Sequence, residues 1–568
     1  MREKRWTLKP ASEKFIQQLG QDLKIHPALC RILALRGVSD FESARRFFRP
    51  ELNHLHDPFL MKGMRDAVTR ISEAVEWHER IMVYGDYDVD GTTSVAVVFS
   101  FLKKHYTGEL GYYIPHRYTE GYGISKKGID HAHANGYTLM ITLDCGIKSI
   151  ELIQYARTLG IDVIVCDHHT PDEILPPAYA ILNPKQSDCP YPYKELSGCG
   201  IGFKLISALA QQWKLSQEAV YEYLDLVATS IAADIVPIDG ENRVLAFYGL
   251  RKVNQTPSLS IQTLKEISGV NREMSMTDIV FVIGPRVNAA GRMDDARKAV
   301  DLFIEQDKEK IKLYAEALQS DNTDRKEIDK SITEEALALL EQDEMTPIRK
   351  STVLFKEDWH KGVVGIVASR LLDHYYRPTI ILTQSNGKVS GSARSVSGFN
   401  IYEAIHECRD LLENYGGHFY AAGMTLLPEK VEAFCMRFEE VVAKSIAPEL
   451  LIPEIEIDAE IRLSDIRPGF YNILRQFEPF GPANTRPVFL TRNVYDYKGY
   501  SRVVKEQHLK FVVHQHDGCV IDGIGFFLGR KEEVVTRGPF DMLYTVEECE
   551  YNGVTKLQVK VIDVKPSC

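Results

Sequence analysis

Three short apolar runs, Ile81–Tyr84, Leu139–Leu143 and Val163–Cys166, lead straight into acidic residues. Each is followed by polar residues and then by a stretch of helical periodicity. This is the rhythm of β–α–β units, in which the strands of a parallel sheet are buried on both faces. In an open parallel sheet the ligand site lies beyond the carboxyl ends of the strands. The three runs end in GDYDVDG, LDCG and CDHH. Such a fold therefore brings their carboxylates and imidazoles to one place.

The resulting constellation is Asp86, Asp88, Asp90, Asp144, Asp167, His168 and His169, joined by Asp234 in AADIVP. Crowded carboxylates repel, so a cation must share the site. Carboxylates with one or two imidazoles suit Mn²⁺ or Mg²⁺, and the ligand count fits two ions about 3.5–4 Å apart. The competing reading of DxDxDG is a calcium loop. It fails because the twelfth position from Asp86 is Val97, where a bidentate glutamate is required.

Length and composition set the frame. The chain has 568 residues, a prior of about three to four domains. Hydrophobic residues make up 44% and charged residues 26%, which excludes disorder as the main state. The net charge of −11 excludes a globally basic nucleic-acid binder but allows a local basic groove. The N-terminal MREKRWTLKPASEKF has no apolar secretory region. No apolar run approaches the roughly 18 residues of a membrane span. The ten cysteines include no CxxC pair, which speaks for reduced thiols in a cytoplasm rather than structural zinc. No GxxxxGK[ST] occurs, so ATP use is unsupported.

Along the chain, residues 1–60 read as a helical lead-in, with Ser39 and Asp40 as cap signals and no assigned function. The first α/β domain covers 61–305. Apolar residues Ile311, Tyr314, Leu318, Ile328, Ile332 and Leu339 predict one long helix over 308–341, about 50 Å if unbroken. It lies within a connecting segment, 306–345. A smaller α/β domain follows over 346–450, with strands at Ser351–Phe355 and Thr379–Leu382 and Gly-rich loops at GSARSVSG and YGGHFYAAG. Over 451–568, short alternating segments and turns such as Asn552-Gly553 predict a small β-barrel or sandwich.

DYDVDG, LDCG, DHH and ADIVP, in this order, resemble the motifs of the DHH phosphoesterase superfamily. HKGVVGIVASRL, GSARS and GGHFYAAG resemble its associated DHHA1 domain. With EGYG, GPRVNAAGRM and EPFGPANTRPVF, the set is similar to the superfamily's bacterial single-strand-specific exonucleases. One departure is Ala393 in GSARS, where the pattern has glycine. The resemblance implies two α/β domains, DHH and DHHA1, joined by the long helix, with an OB-like barrel at the C-terminus. It implies a 5′→3′ exonuclease that degrades single-stranded DNA to 5′-mononucleotides in recombination and repair.

The resemblance also implies roles. Asp88 and Asp144 would hold one metal with Asp86 beside them, and Asp90, Asp144, His168 and Asp234 the other, so that Asp144 bridges. His169 would face the scissile phosphate, and Asp167 would orient a histidine. Arg117, Glu120, Gly121 and Tyr122 of HRYTEGYG would line the substrate; an ordinary Gly-rich loop is the competing reading. Arg286, Asn288 and Arg292 would present phosphate-binding groups from a loop, against an ion-pair network as the alternative. Ser392, Arg394, Ser395, Gly416, Gly417 and His418 would hold DNA phosphates, including the 5′ end, or form tight turns alone. A cleft between the two α/β domains would admit one strand and exclude a duplex. Tyr500, Arg502, Lys505 and Lys510 are candidate contacts of the barrel with a single strand, or a solvated face. Asn322 and Arg325 on the long helix would face the cleft, or cap and pack.

Three functions compete. The first is the metal-dependent exonuclease, a monomer whose expected partners are single-strand-binding protein and a RecQ-type helicase. The second is another phosphoesterase of the superfamily, acting on short oligonucleotides or nucleotides. The third is a non-catalytic DNA-binding scaffold. The last has no reason to keep buried like charges together.

Overall fold

The computed structural model describes residues 3–385, 387–551 and 553–567, so Asn552 of the expected Asn552-Gly553 turn lies outside the described residues. The chain forms two compact units. One comprises 6–284, 303–306 and 456–568, and the other 285–302 and 307–455 with the first few residues.

In the first unit, a five-stranded parallel sheet carries β1 (Ile81–Gly85), β2 (Leu110–Tyr113), β3 (Leu139–Leu143), β4 (Asp162–Cys166) and β5 (Ala180–Leu182). The strand order is β2-β1-β3-β4-β5. The chain order reverses between β1 and β3, which is where a doubly wound sheet opens its ligand crevice. β1 and β3 are buried along their whole length, which explains why their sequences are unbroken apolar runs.

The lead-in forms helices Glu13–Leu23, Pro27–Leu35 and Phe41–Phe48. Asp40 caps the third through a reciprocal bond with Ser43, as its sequence position predicts. Leu29, Leu33 and Ala44 of these helices share one core with Phe470, Phe477 and Phe489 of the C-terminal domain. That domain is a seven-stranded sheet of β11 (Ala459–Glu460), β12 (Phe489–Asp496), β13 (Arg502–Val504), β14 (His508–His514), β15 (Val520–Gly525), β16 (Phe540–Tyr551) and β17 (Val554–Pro566). The β12–β14 pairing closes it into a barrel.

In the second unit, strands β6 (Thr352–Phe355), β7 (Thr379–Ser385), β8 (Lys388–Arg394), β9 (Asn414–Gly417) and β10 (Ala421–Leu426) order as β9-β10-β8-β7-β6. The long helix runs unbroken over Lys308–Gln342, starting from an Asp307 cap. Its buried residues recur every three or four positions from Ile311 to Leu340. Leu339, expected on the apolar face, is 41% exposed, and Leu340 takes the buried place. Asn322 and Arg325 pack rather than cap. Both are buried with Asp329, which accepts a bond from Arg325 at 2.9 Å and pairs with Arg370 at 2.5 Å.

Three local readings need correction. GPRVNAAGRM is a helix, Gly284–Met293, and not a loop. Its proline falls just after the π-helical turn Ile279–Ile283, and its alanines favour the helix. GSAR lies inside β8, and the glycines of YGGHFYAAG lie in β9 and β10, so only the segments between are turns. Small residues are needed there because the strands pack closely: a side chain on Gly391 would overlap Leu382. Ala393 is fully buried in β8 opposite Ala422 and Ile380, with no positive φ, so alanine suits it.

Candidate metal centre and nucleic-acid interface

The DYDVDG motif straddles the end of β1 and the start of the helix Val89–His105. Asp86 follows the strand, Asp88 is the N-cap and accepts from the Gly91 N–H at 3.0 Å, and Asp90 lies in the first turn. The chain turns so sharply that a side chain on Gly91 would overlap the Asp86 carbonyl. Asp144 follows β3 in the left-handed region at φ 59°, a conformation that aspartate tolerates better than most residues. Its backbone N–H is tied to Cys166 O at 2.9 Å. Asp167, His168 and His169 follow β4, and Asp234 caps the end of the helix Leu224–Ala233.

These ends converge. Ligand atoms of Asp86, Asp88 and Asp144 lie within 4.8 Å of one another, as do those of Asp90, His168 and Asp234, and those of Asp144, His168 and His169. His168 Nε2 is 3.2 Å from Asp144 Oδ1, 3.5 Å from Asp234 Oδ2 and 3.7 Å from Asp90 Oδ2. Burial, compounded by the neighbouring aspartates, pushes Asp86, Asp144 and Asp234 well above the usual carboxylate range and raises Asp88. Burial lowers His168, which favours a neutral ring with a lone pair to offer. Asp86 Oδ2, Asp144 Oδ1 and both His168 ring nitrogens are buried without hydrogen-bond partners. Repelling carboxylates and an unsatisfied imidazole are the donor set that a pair of divalent cations satisfies, so the residues fit Mn²⁺ or Mg²⁺.

The acidic and histidine side chains are held from behind. Asp90 accepts from Gly198 N at 2.6 Å, Cys199 N at 2.8 Å and Ser230 Oγ at 2.6 Å, so it sits on the positive end of the helix Gly198–Gln212. Asp167 accepts from Ile147 N and pairs with His169 Nδ1 at 2.6 Å. Burial alone would lower His169 and raise Asp167. Their pairing outweighs it, raising the imidazole and lowering the carboxyl. The Ser230 and Gly198–Cys199 cradle escaped the sequence reading. Its signal was SGCGIGF, a serine cap with small residues opening an apolar helix.

The loop 116–124 reaches this centre. Gly123 N donates to Asp86, and the Tyr122 hydroxyl donates to Asp144 O at 3.0 Å and lies 3.2 Å from His169 Nε2. Arg117 stacks on Tyr87, a residue not singled out from sequence. Glu120 is an internal strut, bonded to Tyr113, Ser125 and the His116 N–H.

In the second unit, Ser392, Arg394, Ser395, Gly417 and His418 gather at one end of the sheet. Arg394 lies opposite Ala421, Ser395 N donates to Tyr420 O, and His418 N donates to Ala421 O. The start of the helix Val364–Tyr375 meets them: a Cβ on Gly365 would lie 2.9 Å from Ser392 Oγ and 3.0 Å from Arg394. This is a cationic, donor-rich corner suited to an anion. Arg286 is buried and donates to Gln319 at 2.7 Å, and Arg292 donates to Gly362 O at 2.9 Å. Asn288, on the same helix, is half-buried.

On the barrel, Arg502 and Lys510 are cross-strand neighbours, and Tyr500 and Lys505 are exposed nearby. Two aromatic groups were missed: Tyr495, Tyr497, His514 and His516, and His508 with Phe526 and Phe527. Phe526 and Phe527 are 49% and 60% exposed beside Lys560. Among the described residues no helix is long and apolar enough to cross a membrane.

A parallel sheet with this acidic centre at its switch point, in one chain with a second α/β domain and a barrel, defines a metal-dependent phosphoesterase of the DHH class. Residues 80–231 match the DHH family N-terminal domain, 349–444 the DHHA1 domain and 457–563 the RecJ OB domain. The single-stranded-DNA-specific exonuclease RecJ of Bacillus subtilis is 35% identical over 99% of this chain and 71% of its own. That of Escherichia coli is 32% identical over 96% of both chains. Thermus thermophilus RecJ in complex with Mn²⁺ superposes with a TM-score of 0.85 at 27% identity, covering 100% of this chain and 80% of that one. The chain belongs to the RecJ family.

Proposed function

We propose that this protein is a metal-dependent exonuclease that degrades single-stranded DNA from its 5′ end to 5′-mononucleotides. One observation carries the reading: carboxylates and the His168 imidazole converge, buried and unsatisfied, at the switch point of the sheet. Asp86, Asp88 and Asp144 would hold one ion, and Asp90, Asp144, His168 and Asp234 a second. When bound, such ions supply a hydroxide nucleophile at neutral pH and neutralise phosphoryl oxygens.

The chain's own groups do the rest. His169, oriented by its pairing with Asp167 and by the Tyr122 hydroxyl, faces the scissile phosphate as a proton donor. Arg117 and Tyr122 line the substrate. Ser392, Arg394, Ser395, Gly417 and His418 receive a phosphate of the strand, and the 5′ phosphate there sets the polarity. Arg286, Asn288 and Arg292 support that strand path. The barrel holds the strand through Tyr500, Arg502, Lys505 and Lys510, with the exposed aromatics as stacking surfaces. The enzyme acts as a cytoplasmic monomer in recombination and repair, with single-strand-binding protein and a RecQ-type helicase as partners.

The test is digestion of end-labelled DNA in Mn²⁺ or Mg²⁺, with a blunt duplex, a short oligonucleotide and Asp144→Ala as controls. Immediate release of the 5′ label as mononucleotide, from the single strand only and abolished in the variant, is the expected result. Cleavage of the short oligonucleotide alone would replace it with the second phosphoesterase reading. Binding without cleavage would leave a scaffold.

A further inference from the structure

The motif EPFGPANTRPVF lies in the C-terminal domain but touches the loop that carries Asp234. After Asp234 the chain passes through Ile235 at φ 59°, a β-branched residue in the left-handed region that is 65% exposed. Such a conformation persists only where the surroundings over-determine it. Here four contacts do so. Pro237 O accepts from Asn242 Nδ2 at 3.0 Å, and the Tyr193 hydroxyl approaches the same oxygen at 3.5 Å. Ile238 N donates to Pro482 O at 2.8 Å. Gly481 lies so close to Ile238 that a Cβ there would sit 2.5 Å from Cγ1.

The segment supplying Gly481 and Pro482 is itself pinned. Asn484 Nδ2 donates to Phe477 O at 2.8 Å and Pro479 O at 2.9 Å. The buried Arg243 guanidinium donates to the carbonyls of Phe477, Gln476 and Glu478, and to Phe47 O of the lead-in. Arg36 of the lead-in donates to Asn484 Oδ1 at 3.3 Å. A buried guanidinium satisfied by four carbonyls is a rigid anchor.

We infer that the segment Phe477–Asn484 is a positioning clamp for Asp234, through which the C-terminal domain sets the metal affinity of the catalytic centre independently of any contact with DNA. The inference rests on the proposed reading of Asp234 as a metal ligand. Groups that orient a ligand from behind typically change metal affinity 10–100-fold.

The test uses the full chain, stripped of metal, and Mn²⁺ titration calorimetry without DNA. Gly481→Val and Asn484→Ala should weaken one Mn²⁺ site about tenfold or more. In the nuclease assay they should raise the half-saturating Mn²⁺ by the same factor, with the rate at saturating Mn²⁺ restored. Val546→Ala, which loosens the barrel core elsewhere, should leave Mn²⁺ affinity unchanged. Should Gly481→Val fail to fold, Asn484→Ala carries the test alone. Asp234→Asn separates the two ideas. If it leaves both Mn²⁺ sites intact, the ligand reading falls, and the clamp with it. If it abolishes one site while Gly481→Val and Asn484→Ala change nothing, only the clamp is overturned. An equal loss in Val546→Ala would also overturn it.

Discussion

Gly198 is where packing and chemistry meet most tightly. Its N–H donates to Asp90, and a Cβ there would lie 2.7 Å from Asp144 Cβ and 2.9 Å from Asp90 Oδ2. Both neighbours are buried carboxylates on fixed backbone, so neither can move aside. Gly198→Ala should therefore raise the half-saturating Mn²⁺ about 10–100-fold while the fold is retained, read by calorimetry and circular dichroism. The repulsion among Asp86, Asp88, Asp144 and Asp234 gives a second expectation. The metal-free protein carries a destabilising cluster, and Mn²⁺ at 100 times its dissociation constant adds about 2.7 kcal/mol. Chelation should lower the melting temperature. Asp144→Asn should raise that of the stripped protein and shrink the Mn²⁺ shift. A stripped Asp144→Asn protein that melts lower than its parent would refute the repulsion argument.

At the scale of elements, the short turn Met276–Asp278 shows how a cap governs a backbone feature. Asp278 accepts from Ser275 N and Oγ at 2.8 and 2.7 Å and from Arg272 at 2.7 and 2.8 Å. It opens onto a π-helical turn, Ile279–Ile283. Burial acts to raise this carboxyl, but the hydrogen bonds from Arg272 and Ser275 outweigh it and hold it at about 2. The ordinary value is about 3.9. A depressed folded value stabilises above the unfolded one, so this contribution is whole above about pH 4 and lost as pH falls through about 2. Arg272→Ala should move the carboxyl upward in a ¹³C NMR titration, and an unmoved value would show that Ser275 alone holds it. Elements were unevenly legible in the sequence. The strands ending at Gly85, Leu143 and Cys166 announced themselves because burial on both faces forces unbroken apolar runs, and the acidic residues of the centre follow each run directly. The long helix was legible from its period. GPRVNAAGRM and GSAR misled because glycine was read as a loop signal. Here Gly391 serves close packing inside a strand, and GPRVNAAGRM continues a helix. The cradle around Asp90 stayed hidden because Ser230 and Gly198 meet it only through the tertiary fold.

At the scale of the molecule, the lead-in is where local reading stops. Its helices are amphipathic in sequence, but nothing local states what they cover. The structure places Leu29, Cys30 and Leu33 in the core of the C-terminal domain, more than four hundred residues away in the chain. Phe47 and Phe48 meet Phe477 edge-on at 5.4 and 5.2 Å, and His26 meets Phe470 at 5.3 Å. The barrel's core is thus completed by residues distant from it in the chain. A consequence follows for stability. Leu33 is fully buried in this shared core, so Leu33→Ala should cost about 2–5 kcal/mol. The loss should appear in the barrel rather than in the parallel sheet. Trp6 donates to Asp563 at 3.0 Å and lies under Lys565, so its environment reports on β17. In Leu33→Ala, amide exchange over β12–β17 should accelerate well before exchange over β1–β4. Equal acceleration in both would mean that the first unit unfolds as one cooperative block, and that the lead-in is part of a single core rather than a cover for the barrel.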